Sequence, residues 1–145
     1  MAEFYVAIGD RVRFSKTVGE SDVYLFAGIT GDLAPNHVDE AYMQGTPYGR
    51  RIAHGALLIG FMSTASTMIV ERHGGIEGDE TPVSLGYDRI RFTAPVFFGD
   101  TITVTYTIAE VDPVRRRSKS AIEVINQNGE VVAVAAHILK WVPRS

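Results

Sequence analysis

The chain has no cysteine. That excludes disulfides, a thiolate nucleophile and cysteine-ligated zinc, and it leaves the redox compartment open. Neither sign of charge dominates: 14 Lys and Arg stand against 17 Asp and Glu, a net charge of −3. Nothing in that balance attracts nucleic acid. The longest apolar stretch, residues 52–70, is broken by His54, Ser63, Thr64, Ser66 and Thr67. It reads as a core helix and not as a membrane span. Met1-Ala2-Glu3-Phe4 opens no basic-then-apolar signal segment. The expectation is a cytoplasmic or organelle-matrix protein, cytoplasmic by default, with neither membrane nor nucleic acid as partner. What is present suits one globular domain over residues 1–145, with 46% apolar and 21% charged residues.

Apolar periodicity divides the chain. Residues 11–17 alternate, with Val12 and Phe14 on one face and Arg13 and Ser15 on the other, as in a half-buried strand. Glu20-Ser21-Asp22 supplies an N-cap and first-turn acids for a helix through Val23, Phe26 and Ala27, which Gly31-Asp32 stops. Residues 32–37 read as a loop, because Pro35 interrupts regular hydrogen bonding. Residues 39–44 read as one or two helical turns, followed by a turn at Thr46-Pro47-Tyr48-Gly49. The longest helix covers residues 52–71. It is apolar on most sides and so is expected to be buried on most sides, its small residues admitting strands closely. Residues 73–80 read as a polar loop. Strands follow at 83–95, 101–111, 117–126 and 131–141. Phe98-Gly99-Asp100 is a tight connection, and Asn128-Gly129 is a strong hairpin signal. The order predicts an α+β domain in which an antiparallel sheet wraps one long helix. Such a sheet leaves an edge strand and an apolar face, which a symmetric dimer would cover.

The candidate chemistry lies in Gly31-Asp32-Leu33-Ala34-Pro35-Asn36-His37. A carboxylate and an imidazole five residues apart can act as an acid/base pair, and an apolar pocket around Asp32 would suit a general base. Gly55 falls in the first turn of the long helix, where outward-pointing amides can stabilise an oxyanion and glycine admits a close ligand. Together these groups suit the addition or removal of water beside a carbonyl. Plainer readings stand beside them. Asp32 could simply cap a helix, His37 could be an ordinary loop histidine, and Gly55 could only relieve packing. His54 is expected to orient the helix start.

Three blocks resemble the MaoC-like hydratases and dehydratases, the family of the (R)-specific enoyl-CoA hydratases. The first runs from Phe26-Ala27-Gly28-Ile29-Thr30-Gly31-Asp32 to His37 and is similar to the family motif Gly-Asp-x-Asn-Pro-x-His. The second is Arg51-Ile52-Ala53-His54-Gly55, and the third is Phe92-Thr93-Ala94-Pro95-Val96-Phe97-Phe98-Gly99-Asp100. Ala34 stands where the family has asparagine, and Asn36 precedes His37. The resemblance implies a hotdog fold and reversible hydration of a 2-enoyl-CoA to a 3-hydroxyacyl-CoA of (R) configuration. It implies that Asp32 and His37 grip one water and that Gly55 faces the thioester oxygen. It places Ser63 and Asn36 near bound substrate. No cofactor and no metal are implied, and a homodimer or larger dimer-based assembly is expected.

Rival readings differ in their residues. A hotdog thioesterase resembles its relatives in carrying an acid on the central helix, but residues 53–70 contain no Asp or Glu. The His-Phe-Pro-Gly-His-Phe-Pro segment of the carrier-protein dehydratases is absent. A metal site from Asp32, His37 and Asp39 matches no zinc pattern. An acyl-CoA-binding module without activity would need neither Asp32 nor His37. Arg50 and Arg51 could reach a coenzyme A phosphate, and so could Arg115, Arg116, Arg117 and Lys119, although a basic cluster on a strand is more often a solvated face.

Overall fold

The computed structural model describes residues 4–72 and 78–145. Five strands form one antiparallel sheet: β1 (Arg11–Thr17), β2 (Glu80–Phe92), β3 (Thr101–Asp112), β4 (Arg117–Ile125) and β5 (Val131–Pro143), in the order β1-β3-β4-β5-β2. Four helices accompany them: α1 (Glu20–Thr30), α2 (Pro35–Val38), α3 (Glu40–Gln44) and α4 (Gly55–Arg72). The long helix α4 lies against the sheet, as the hotdog fold requires. It packs closely on β1 and β3.

Strand alternation sets the core. In β3, Ile102, Val104, Tyr106 and Ile108 point inward between half-exposed threonines. Opposite them, α4 buries Leu58, Met62, Ala65, Ser66, Ile69 and Val70. Trp141 of β5 is fully buried and stacks on Tyr5 at 5.5 Å. The β4–β5 hairpin turns at Asn128-Gly129, where Gly129 takes a positive φ of 76°. The Asn126 side-chain oxygen accepts from the backbone N–H groups of Asn128 and Glu130, holding the turn shut.

Local chemistry moved several boundaries. Pro35 does not break regular structure. It opens α2 at a first-turn position, where a missing N–H costs nothing. Gly19, not Glu20, caps α1, and Asp22 accepts its N–H at 2.8 Å. Asp39 caps α3 through the Tyr42 N–H at 3.0 Å. The long helix starts at Gly55 and not at Ile52. Ile52 instead bridges Phe97, and the Ala53 N–H donates to Val96 O at 2.8 Å. β2 begins at Glu80 and ends at Phe92, three residues early at each end. Of the polar loop expected over residues 73–80, residues 73–77 lie outside the described residues. The expectation that α4 is buried on most sides fails. Ala56, Gly60, Ser63, Thr64 and Thr67 are exposed, although the Ser63 hydroxyl still bonds Tyr87 of β2 and Ala65 and Ser66 are buried.

Candidate active site

The site is assembled where α1, α2 and the start of α4 meet. The segment ahead of α4 is pinned on both sides. The Ile52 N–H donates to Asn36 O at 3.0 Å, and His37 Nδ1 lies 2.8 Å from Ile52 O. A carbonyl can only accept, so His37 carries its proton on Nδ1 and leaves Nε2 as a free lone pair. Arg51 anchors the same segment. It pairs with Glu20 of α1 at 2.9 Å and Glu40 of α3 at 3.3 Å, bonds the Tyr24 hydroxyl, and lies over the Phe98 ring at 4.6 Å. Those bonds occupy Arg51 in holding helices together, not in reaching for a phosphate. Arg50 lies over the Phe97 ring at 4.0 Å. Arg115, Arg117 and Lys119 are exposed, whereas Arg116 is half-buried and bonds Glu80 at 3.1 Å.

His54 contributes more than orientation of the helix start. Its ring stacks on His37 at 3.7 Å and is backed by Phe26 of α1 at 4.7 Å. Its Nε2 lies 2.9 Å from Asp32 O, so Nε2–H donates and Nδ1 keeps a lone pair. That Nδ1 is buried and has no partner among the described residues. Leaving a buried polar atom so costs about 1–3 kcal/mol. The signal in the sequence was only the His-Gly pair at a helix start.

Asp32 and His37 do come together. One nitrogen or oxygen each from Asp32, His37 and His54 lies within 4.8 Å of the others. His37 is buried while Asp32 is exposed, so no apolar pocket of this chain encloses the carboxylate. One Asp32 oxygen accepts from the Ala34 N–H at 3.3 Å. Burial holds the His37 pKa below the ordinary 6.5, and the Ile52 carbonyl only partly opposes this. The same three residues could be considered for a cation, but the geometry opposes it. The imidazoles stack face to face with planes 24° apart. Nitrogen lone pairs lie in the ring planes, so rings stacked at this distance do not converge on one ion about 2.0–2.1 Å from each.

Gly55 is the first residue of α4. Its N–H has no acceptor among the described residues, as expected in the first turn of a helix. A Cβ at this position would lie 2.7 Å from the Phe92 ring. The glycine therefore serves a close approach, and within the chain the approaching group is Phe92. A cavity of about 410 Å³ opens here, walled by Asn36, His37, Gly55, Leu58, Phe92 and Val96. Asn36 is thus at the site, with its side chain half-buried. Ser63 is not. It lies two turns along α4, at a second cavity of about 310 Å³ between α4 and the start of β2.

Comparison with known proteins agrees with this geometry. The MaoC like domain pattern matches residues 3–130. The (R)-specific enoyl-CoA hydratase of Rhodospirillum rubrum is 38% identical over 108 residues, covering 74% of this chain and 69% of its own. The 3-hydroxybutyryl-CoA dehydratase of Methylorubrum extorquens is 37% identical over 106 residues, covering 73% of this chain and 62% of its own. The unliganded R-hydratase structure from Pseudomonas aeruginosa superposes with a TM-score of 0.80 at 31% identity, over 97% of this chain and 84% of its own. A hotdog fold with this residue set, matched over most of its length, places the chain in the MaoC-like dehydratase family.

Proposed function

We propose that this protein reversibly hydrates a 2-enoyl-CoA to an (R)-3-hydroxyacyl-CoA, with residues 1–145 acting as one catalytic domain. The observation that carries the reading is the clustering of the Asp32 carboxylate with the His37 and His54 imidazoles, one ligand atom of each within 4.8 Å of the others, beside a Gly55 N–H with no acceptor among the described residues. Both Asp32 and His37 Nε2 are acceptors. Two acceptors offered by residues of one such cluster suit one water held by both its hydrogens, at ordinary lengths of about 2.8 Å. Such a water turns its oxygen lone pairs outward, toward the β-carbon of the substrate.

In the forward direction the water oxygen bonds the β-carbon as one water hydrogen passes to Asp32. The electrons of the double bond shift toward the thioester oxygen, where the Gly55 N–H at the positive end of α4 receives the charge. The α-carbon then takes its proton from the Asp32–His37 pair, which returns to its starting state. Hydroxyl and hydrogen add to the same face, because one pair handles both. The low pKa of His37 keeps its ring neutral and Nε2 available at physiological pH. His54 holds the Asp32 backbone and stacks beneath His37, and Asn36 borders the substrate. The chemistry needs no cofactor and no metal.

The working form in this proposal is a homodimer. The exposed small-residue face of α4 and the edge strand β2, with Val83, Leu85 and Phe92 uncovered, support it. Leu25, Ile29 and Leu33 are also exposed around Asp32, and a partner covering them would take Asp32 out of bulk water. The test is incubation with crotonyl-CoA and chiral analysis of the product. Formation of (R)-3-hydroxybutyryl-CoA is expected. The (S) product would overturn the stereochemical reading, and release of free coenzyme A would indicate a thioesterase instead.

A further inference from the structure

Hydrogen bonds link residues 36–40 to residues 51 and 52 in a short ladder, and His37 sits inside it. Asn36 O accepts the Ile52 N–H at 3.0 Å. Next to it, His37 Nδ1–H donates to Ile52 O at 2.8 Å. Beyond that, the Glu40 carboxylate of α3 takes both the backbone N–H of Arg51 at 3.1 Å and the guanidinium Nε–H at 3.3 Å. Other guanidinium donors go to Glu20 at 2.9 Å and to the Tyr24 hydroxyl, both on α1, and Phe98 lies against the guanidinium at 4.6 Å. The Arg51 side chain is only 16% exposed, so bulk water screens these bonds little. A planar guanidinium meets such partners in fixed directions, which the point charge of a lysine does not. Neither Glu40 nor Arg51 borders the cavity at Gly55.

Resting on the hydratase reading, we infer that Glu40 and Arg51 are positioning residues: their clasp holds the Ile52 carbonyl where it keeps the His37 proton on Nδ1 and leaves Nε2 open to water. The Ile52 backbone is fixed on its far side by the Ala53 N–H, which donates to Val96 O at 2.8 Å, and on its near side by the Glu40–Arg51 link. Without that link the Ile52 carbonyl is free to turn from the ring. A neutral imidazole released from its acceptor carries its proton on either nitrogen. The groups facing His37 do not restore the order. Asp32 lies in the same cluster, and its carboxylate only accepts, so it attracts an N–H of the ring. The His54 ring stacks on His37 and spends its Nε2–H on Asp32 O. With the proton on Nε2, His37 donates where the reaction needs it to accept. Only the fraction in the other tautomer is then competent.

The test joins nitrogen-15 NMR of the histidine rings to crotonyl-CoA kinetics on the intact protein, with His37→Gln to assign the His37 signals. Wild-type His37 is expected to show a protonated Nδ1 and an unprotonated Nε2. In Glu40→Ala that pattern is expected to become mixed, while His137, buried in β5, reports an intact fold. Turnover by Glu40→Ala should lose about fivefold in kcat, the scale of one net hydrogen bond, with KM little changed. Glu40→Gln keeps an oxygen for the Arg51 N–H and should recover much of both signals. If Glu40→Ala disturbs His137, Arg51→Lys carries the same test. A His37 that keeps its proton on Nδ1 in the folded variants would overturn the inference. So would a mixed pattern with undiminished kcat, and both results leave the hydratase reading standing. A wild type that turns over no enoyl-CoA would remove that reading and the catalytic role with it, and the ring spectrum, which needs no substrate, would still decide whether the clasp sets the tautomer.

Discussion

Replacing Gly55 by alanine separates two roles that one glycine can play. An added Cβ would lie 2.7 Å from the nearest Phe92 ring carbon, with two more at 2.8 Å. Ordinary carbon contacts are about 3.5–4.0 Å, so the ring must retreat by roughly 1 Å. Phe92 is 52% exposed at the end of an edge strand, and it can move. Alanine also favours the helix by up to about 1 kcal/mol. The two effects oppose each other, and the melting temperature of Gly55→Ala should change by only a few degrees. Turnover should respond differently. If the thioester oxygen must approach the Gly55 N–H, a methyl group there removes a donor worth about 3 kcal/mol, roughly a hundredfold in kcat/KM. The assay is the loss of enoyl absorbance with crotonyl-CoA, on Gly55→Ala, Phe92→Ala and the double variant. If Gly55 serves only Phe92, removing the ring should rescue Gly55→Ala. The account predicts no rescue. Rescue to the rate of Phe92→Ala, or an unimpaired Gly55→Ala, would refute the oxyanion role.

Other consequences follow from protonation and assembly. His37 must be neutral to accept from water, and burial lowers its pKa below 6.5. The rate should therefore stay level down to pH 6.5 and fall only below it; an acid limb centred above 6.5 would contradict this. His137, at about 4 in the folded chain against 6.5 when unfolded, binds its proton more weakly in the native state. Its contribution to stability is complete above pH 6.5 and is lost as pH falls toward 4, by about 3 kcal/mol over the window. Chemical denaturation across that range, with a histidine NMR titration, checks both the slope and the low midpoint. Leu85→Lys on the edge strand should shift the assembly toward monomer in light scattering. A dimer that tolerates it would exclude pairing along β2.

Much of the fold was legible because alternation in β1, β3, β4 and β5 is clean, and because Asn128-Gly129 and Gly99 mark turns that their conformations require. What was missed followed from tertiary bonding. Ile52 and Ala53 look helical by composition, yet they spend their backbone groups on Phe97, Asn36 and Val96. Pro35 reads as a breaker until its place in the first turn of α2 is known. The candidate site was half legible. Asp32, His37 and Gly55 announce themselves by type and spacing, and Asn36 comes with them. The stacking of His54 on His37 depends on how α1 and α2 close over the helix start, and no local pattern encodes that. Ser63 was placed near bound substrate by the resemblance, and in the structure it lies at a different cavity, between α4 and β2. The buried His137 looked like one polar residue in an apolar strand. Only the sheet register, which sets it beside Tyr87 and near Ser84, turns it into a network.

The central claim is that Asp32 is the base of a hydratase. The most direct measurement is crotonyl-CoA turnover by the wild type beside Asp32→Asn, with thermal unfolding of both. Asparagine keeps the shape and the backbone carbonyl that His54 holds, so the fold should be undisturbed. The account predicts turnover by the wild type and a loss of at least about a hundredfold in the variant, the lower end of what a positioned general base contributes, at an unchanged melting temperature. Near-native turnover by a folded Asp32→Asn would contradict it.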